Sequence, residues 1–344
     1  MSKWDLCGVM PVPRNKWKAQ EGKAIVELFG NVNIDWLGKK WYFLGFSLIF
    51  SVAGLISMGV HWAKIGSPVP LGVDFQGGTQ VQVQFQNPPD VNAIRSAMSA
   101  AGVKDPLIRT YDKPELREML IGLPEQSDAT VDTSRKLIVD ALQAHYNNPG
   151  TVQKVESVGP TVGRQLEKQA ALATLYSLIG MLIYLWFRFE LIYGVAAVVA
   201  VFHDTLITLG FFALTDKELS LTVIAAILTL VGYSMNDTIV VFDRIRENLR
   251  ITRREPLADT VNRSINQTLS RTVLTSGLTF LTVLALYLFG GEVLNGFSFA
   301  LVVGILIGTY SSIAVAAPML VAYQDWRASR GKTNVLPAAK RGRA

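Results

Sequence analysis

The sequence predicts a multi-pass α-helical membrane protein, built as a six-helix transmembrane bundle with one small exported α/β domain. Half of the 344 residues are hydrophobic and only 17% are charged, a composition typical of membrane proteins rather than of soluble globules. Six stretches are apolar over roughly 20 residues, the length of helix that crosses a bilayer. One long polar connection, residues 61–169, separates the first stretch from the other five.

The apolar stretches divide the chain into its predicted domains. The first span follows a basic tail, residues 1–40, and has no small-residue cleavage site, so we expect a retained anchor rather than a signal peptide. Spans two to six occupy residues 170–323, and a second basic tail covers residues 324–344. The predicted spans are residues 41–60, 170–187, 191–214, 219–242, 272–289 and about 297–321.

The distribution of lysine and arginine predicts the orientation of the chain. The N-terminal tail carries seven of these residues, the segment 242–271 carries seven and the C-terminal tail carries six. The short loops on the other side hold only Lys217. Because cytoplasmic loops are enriched in basic residues, we expect both termini and the loop 243–271 to be cytoplasmic. The connection 61–169 is then exported.

An alternating pattern opens the exported domain. Val81, Val83 and Phe85 alternate with glutamines, which indicates a strand with one buried face. The elements predicted after it are a helix at 91–101, a strand at 107–111, a helix at 134–145 and a strand at 151–158. This order predicts a small ferredoxin-like domain of the split βαβ kind. It contains no nucleophile–base motif, so we do not expect an enzyme.

Several classes of function are excluded by composition. The net charge of +6 comes from basic residues placed where membrane topology puts them, so we expect no nucleic-acid binding. A single cysteine, Cys7, and only three histidines give no metal-ligand spacing. No G-x-x-x-x-G-K motif occurs, which argues against ATP as the direct energy source. We therefore expect neither a cofactor nor a metal ion.

Asp237 is the most informative residue. It is the only charged residue in the span 219–242. An acid in the hydrocarbon region is costly and persists mainly where it faces a bundle interior or a water-filled path. We therefore expect the protein to use a transmembrane ion gradient. The alternative is a structural role, in which the buried acid is locked to one partner.

Further polar side chains lie where they can complete a proton relay. Arg271 begins the fifth span beside Thr275, which belongs to a stripe of threonines on one helical face. The third span contributes His203 and Asp204, and Asn236 precedes the acid of the fourth span. Each has a plainer explanation. Threonines in membrane helices often bond to the carbonyl four residues earlier, an arginine at a span end extends to the headgroups, and a neighbouring histidine and aspartate can form a structural pair.

Two glycine patterns indicate local structure. Asp74, Gly77 and Gly78 mark the start of the exported domain, and the glycine pair indicates a turn there. Gly304 and Gly308 in the sixth span indicate close helix packing.

Five segments resemble one known family. They are residues 72–79 (GVDFQGGT), 155–163 (VESVGPTVG), 201–206 (VFHDTL), 232–248 (GYSMNDTIVVFDRIREN) and 267–276 (QTLSRTVLTS). They are similar to the SecF family of the bacterial Sec translocon, part of the SecD/SecF group related to resistance-nodulation-division transporters. The resemblance covers about residues 40–330 in the right order. Asp237 and Arg271 match the family's proton-pathway positions.

The resemblance implies a function and a set of partners. It implies an inner-membrane subunit that pairs with SecD beside the SecYEG channel, with YajC and YidC as further partners. Proton flow would then drive the exported domains to pull an unfolded preprotein outward after the ATPase SecA has pushed it. Two alternatives stay open: a scaffold that uses no gradient, and a proton-driven exporter of small molecules or lipids.

Overall fold

The computed structural model describes residues 33–330, except for short gaps at 104–105, 112–115, 124–130, 189–190 and 253–254. The predicted basic tails, residues 1–40 and 324–344, therefore lie largely outside the described residues. All structural statements below concern the described part of the chain.

Six helical segments are long and apolar enough to cross a membrane, which confirms the predicted six-helix bundle. The first five are α1 (Lys40–Ile65), α5 (Pro160–Arg188), α6 (Leu191–Leu214), α7 (Leu221–Ile251) and α8 (Leu257–Phe289). The sixth segment combines α9 (Glu292–Ser311), a π-helical turn (Ser312–Ala316) and α10 (Ala317–Ser329). The π-helical turn precedes Pro318, whose ring removes a backbone donor and crowds the carbonyl of the preceding turn.

The predicted connection 243–271 is largely helical in the structure. Helix α7 runs on to Ile251 and α8 begins at Leu257, so five residues separate the two helices. Ile245 and Ile265 remain fully buried beyond the apolar stretches. Because these residues continue one apolar helical face, the two helices pack as an antiparallel pair past the end of the predicted spans.

The connection between α1 and α5 forms the predicted α/β domain. Its elements are α2 (Val73–Gln76), β1 (Gly78–Phe85), α3 (Val91–Ala100), β2 (Leu107–Tyr111), β3 (Glu118–Leu123), α4 (Val131–His145) and β4 (Gly150–Val158). The four strands are antiparallel and lie in the order β2-β3-β1-β4. This is the ferredoxin-like arrangement of two interlocked βαβ units, with a short helix, α2, added before the first strand.

The core of this domain lies on one face of the sheet. Val81, Val83 and Phe85 of β1 are buried, as the alternating pattern predicts. Helices α3 and α4 cover this face with Ile94 and Ile138, both fully buried. The glutamines of β1 lie on the other face of the sheet, which is turned towards the end of the bundle that adjoins the domain. We call this end the domain side of the bundle.

Strand β3 has no clear signal in the sequence and is absent from the predicted elements. Its sequence, Glu-Met-Leu-Ile-Gly-Leu, has apolar residues on both faces, so the two-residue period is weak. In the structure Met119, Ile121 and Leu123 are buried against the helices, and the strand pairs with both β1 and β2.

Candidate proton-relay site

Asp237 lies on the buried face of α7. This face is formed by residues at helical spacing that include Leu230, Ser234 and Val241, and the Asp237 residue is only 3% exposed. Its Oδ2 accepts a hydrogen bond from the hydroxyl of Ser276 on α8 at 2.7 Å. Among the described residues, no lysine or arginine forms an ion pair with this carboxylate. Asp237 is thus a buried acid with a single neutral donor.

Arg271 does not touch Asp237 in the structure. Its side chain is exposed on the outer surface of α8. Ser276 and Arg271 are five residues apart, which on an α-helix places them about 140° apart around the axis. The residue that bonds to α7 is therefore the serine, whereas the arginine makes no hydrogen bond or ion pair with the acid. Asn236 is likewise exposed, because it lies beside the buried face of α7 rather than on it.

The threonine stripe of α8 bonds to its own backbone. Thr275 donates to the carbonyls of Arg271 and Thr272, at 3.0 and 3.1 Å. Thr268, Thr279 and Thr282 bond in the same way to carbonyls three or four residues earlier. These geometries match the plainer explanation of the stripe. The structure does not bring Thr275 to the acid.

His203 and Asp204 form a second buried polar cluster. Asp204 is 1% exposed, and its Oδ2 accepts a hydrogen bond from the hydroxyl of Ser234 on α7 at 2.6 Å. Its Oδ1 lies 3.0 Å from Nδ1 of His203. The other ring nitrogen of His203, Nε2, contacts the hydroxyl of Ser47 on α1. The cluster therefore ties α1, α6 and α7 together through one acid and one imidazole.

Helix α7 brings the two clusters close together. Ser234 and Asp237 are three residues apart on the same face, about 4.5 Å along the helix axis. Buried polar groups thus run from Ser47 through the histidine–aspartate pair to Ser276, across four helices. The arrangement provides two carboxylates, one imidazole and three hydroxyls, all able to hold or pass a proton.

Close helix packing holds this series in place. Gly54 of α1 meets Gly210 of α6 so closely that a Cβ on Gly54 would lie 2.9 Å from the Cα of Gly210. This approach lets Ser47 reach His203 from the neighbouring helix. A Cβ on Gly308 of α9 would lie 3.0 Å from the Cβ of Ser234. The glycine predicted to serve packing therefore brings α9 against the polar face of α7.

The glycine pair at the start of the domain joins α2 directly to β1. Gly77 and Gly78 have φ angles of 73° and 109°, a region that favours glycine. Asp74, in contrast, bonds outside the domain: its Oδ2 accepts a hydrogen bond from the backbone N–H of Leu221 at 2.9 Å. This residue belongs to the junction between domain and bundle and lies on the domain side, away from the buried acids.

Three serines that complete the site carry no clear signal in the sequence. Ser47, Ser234 and Ser276 each sit in a mainly apolar helical stretch. A hydroxyl on a buried face is the only signal they give, and such hydroxyls often bond to their own backbone. Their partners lie on other helices, so the pairing depends on helix rotation. Among the described residues no group of histidine, cysteine and acidic side chains is suited to hold a metal ion.

Fold and site together define a class: a multi-pass membrane protein that carries ionisable groups in its helical core and an α/β domain between its first two spans. The family description "Protein export membrane protein SecD/SecF, C-terminal" matches residues 138–326, and "SecD/SecF GG Motif" matches residues 65–89. The chain belongs to the SecF family, the SecF subunits of the Sec protein translocase. It is a transport component rather than an enzyme.

Individual relatives and a solved structure support this assignment. The chain is 54% identical to the protein translocase subunit SecF of Koribacter versatilis, across 91% of this chain and 96% of that protein. It is 45% identical to SecF of Calditerrivibrio nitroreducens, across 86% of this chain. The crystal structure of SecDF from Thermus thermophilus, described as a translocon-associated membrane protein, superposes with a TM-score of 0.76 at 39% identity. That match covers 86% of this chain and 39% of the SecDF chain.

Proposed function

We propose that this subunit works with a SecD subunit in the inner membrane and uses the proton motive force to pull preproteins outward. Asp237 is the group that takes up and releases the proton. The observation that carries this proposal is the state of Asp237: it is buried, it has one hydroxyl partner, and among the described residues it has no ion pair. A purely structural buried acid is expected to be paired with a charge.

Arg271 completes the proposed switch when the subunit is assembled. Its exposed position on α8 leaves a guanidinium on the surface of the bundle, a costly place within a membrane unless a partner covers it. The match to 39% of the SecDF chain supports a SecD partner, and we propose that this partner covers the arginine. A charge brought near an acid favours its ionised form, whereas apolar surroundings favour the neutral form. Movement of the arginine relative to Asp237 would thereby alternate proton uptake and release.

The energy available from the gradient is sufficient for a two-state bundle. One proton that crosses 100 mV supplies ~2.3 kcal/mol before any pH gradient is added. The proton acts here as a ligand. It can shift the equilibrium between the two states of the bundle only if its affinity for them differs. The His203–Asp204 pair of α6 bonds to Ser234, which lies within one helical turn of Asp237 on α7, and it offers a second proton-holding position on the same route.

The remaining partners follow from the same assignment. The SecYEG channel supplies the preprotein, and YajC and YidC are the further partners that the family resemblance implies. The α/β domain lies on the outer side of the membrane, and both termini are cytoplasmic, as the distribution of lysine and arginine supports. The unfolded preprotein meets the protein on that outer side.

The test is gradient-stimulated export into inverted vesicles that contain the complete translocase. Asp237→Asn, which holds a permanently neutral side chain, should abolish the stimulation by the gradient while the ATP-driven part of export remains. Asp243→Asn is the matched control, because Asp243 is an exposed acid on the same helix, and it should retain the stimulation. An assembled Asp237→Asn complex that responds fully to the gradient would show that the subunit is a scaffold.

A further inference from the structure

Backbone hydrogen bonds join the start of the α/β domain to the bundle. The N–H of Gly72 donates to the carbonyl of Leu219 at 2.9 Å, and the N–H of Leu219 donates to the carbonyl of Pro70 at 2.7 Å. The chain entering the domain is thereby paired with the residues that immediately precede α7. Helix α2 follows directly, so the domain begins where the membrane helix begins.

Asp74 adds a side-chain bond at this junction. The first residues of a helix have N–H groups without partners in the helix itself. In α7 the N–H of Val223 donates to Oγ of Ser220 at 3.3 Å. The N–H of Leu221 donates to Oδ2 of Asp74 at 2.9 Å. A negative charge at a helix N-terminus is also stabilised by the helix dipole. Asp74 therefore caps a helix that it does not belong to.

Helix α5 holds α2 from the opposite side. A Cβ on Gly163 would lie 2.9 Å from the carbonyl oxygen of Phe75, so the backbones of α5 and α2 are in direct contact. The chain leaves the domain through α5. Both connections of the domain, the incoming and the outgoing one, thus meet around α2 at the N-terminus of α7.

We infer that the bond from Asp74 to α7 is the mechanical link that transmits movement of the proton-bearing helix to the exported domain. Helix α7 runs without interruption from Leu221 to Asp237, about 24 Å at ~1.5 Å per residue. A displacement of the helix at its acid reaches its N-terminus as a rigid-body movement, and Asp74 passes it to α2 and β1. The inference rests on the proposed function, because without a proton-driven movement there is nothing to transmit.

Substitutions at Asp74 test the link in the complete translocase. Asp74→Leu removes the acceptor and should lose the gradient-stimulated part of export, with accumulation, SecD binding and ATP-driven export unchanged. Asp74→Asn keeps an acceptor oxygen for the N–H of Leu221 and should restore the stimulation. Asp90→Leu is the matched control: Asp90 caps α3 inside the same domain, accepting from the N–H of Asn92 at 2.8 Å, and its loss should leave the stimulation intact.

A glycine pair on α5 tests the same link from the other side. The methyl group of Gly163→Ala would push α2 away from α5, whereas a Cβ on Gly180 of the same helix meets nothing within 4 Å. Gly163→Ala should lose the gradient-stimulated part of export and Gly180→Ala should keep it. These two glycine variants test the link even if the Asp74→Leu protein does not accumulate in the membrane. Full stimulation in Gly163→Ala and Asp74→Leu would overturn the link, as would an equal loss in Asp90→Leu.

A distance measurement separates failure of the link from failure of the proposed function. Spin labels at Lys136 of α4 and Thr215 beyond α6, with Cys7 replaced by serine, report the position of the domain relative to the bundle. Asp237→Asn should shift this distance in the otherwise unchanged complex and should not shift it in the Asp74→Leu background. A shift that persists in Asp74→Leu would overturn the link alone. Retention of gradient-stimulated export by Asp237→Asn would overturn the proposed function first.

Discussion

Asp237 has two possible roles, as a proton carrier or as a structural acid, and its single hydroxyl partner distinguishes between them. The Ser276 bond stabilises the carboxyl group in one orientation, yet it brings no charge with it. The same pattern recurs at Oδ2 of Asp204, which accepts a hydrogen bond from the hydroxyl of Ser234. Neutral donors of this kind let a carboxyl group gain or lose a proton without breaking an ion pair, and this is the property that a relay needs.

Loss of the Ser276 hydroxyl should therefore leave a buried carboxyl group without a partner. Ser276→Ala is expected to destabilise the protein by about 1–3 kcal/mol, the cost of an unsatisfied buried polar group. Ser298→Ala is the control, because Ser298 is also buried but donates only to backbone carbonyls of its own helix. The apparent melting temperature in mild detergent measures both. Equal melting temperatures for the two variants would show that the serine bond does not stabilise the acid.

Helix packing sets the positions of these residues. The contact of Gly54 with Gly210 brings α1 against α6, and the extension of α7 and α8 beyond the apolar stretches anchors the pair that carries Asp237 and Ser276. A buried bond between Asn248 and Ser264, 2.8 Å long, joins these two helices near their turn. The relay thus depends on two contacts: the close packing of α1 against α6, and the buried hydrogen bond that joins α7 to α8.

A methyl group at the glycine contact should disturb the bundle. Gly54→Ala overpacks the contact between α1 and α6, which costs typically about 1–3 kcal/mol. A Cβ at Gly59 of the same helix meets nothing within 4 Å, so Gly59→Ala should not lower the stability. The melting temperatures of the two variants in mild detergent are compared directly. A Gly54→Ala protein as stable as the Gly59→Ala protein would contradict the packing account.

At the scale of the whole molecule, much of the architecture follows from sequence. The six apolar stretches and the alternating β1 strand have simple signals, because burial against lipid or against one face of a sheet imposes a simple period. Strand β3 lacks such a period, and the helical extensions around residues 243–271 depend on tertiary packing. The strand and the helical extensions can therefore be recognised only in the folded structure.

The candidate site is predictable only in part, for a geometric reason. Asp237 and the His203–Asp204 pair stand out because charge is rare inside a span. Arg271 is predicted to belong to the same relay because it begins the fifth span, at a depth in the membrane that Asp237 could share. Depth does not fix rotation about the helix axis, however, and it is Ser276 that faces the acid. The partners of buried acids therefore need the structure.

The orientation of the chain gives a prediction for the whole molecule. With Cys7 replaced by serine, a cysteine at Lys136 in the α/β domain should react with an impermeant reagent added outside intact cells. A cysteine at Arg250, near the end of α7, should react only after the membrane is opened, because basic connections stay in the cytoplasm. Labelling of both positions from the same side would contradict the six-span orientation.

The central claim is that Asp237 couples proton flow to export. The most direct measurement is proton exit from energised inverted vesicles that contain the complete translocase, recorded with a pH-sensitive dye while a preprotein is being exported into their lumen. Wild-type complex and Asp243→Asn should show proton flow that accompanies export, and Asp237→Asn should show none while its assembly with SecD stays intact. Proton flow of wild-type size in the Asp237→Asn complex would contradict the account.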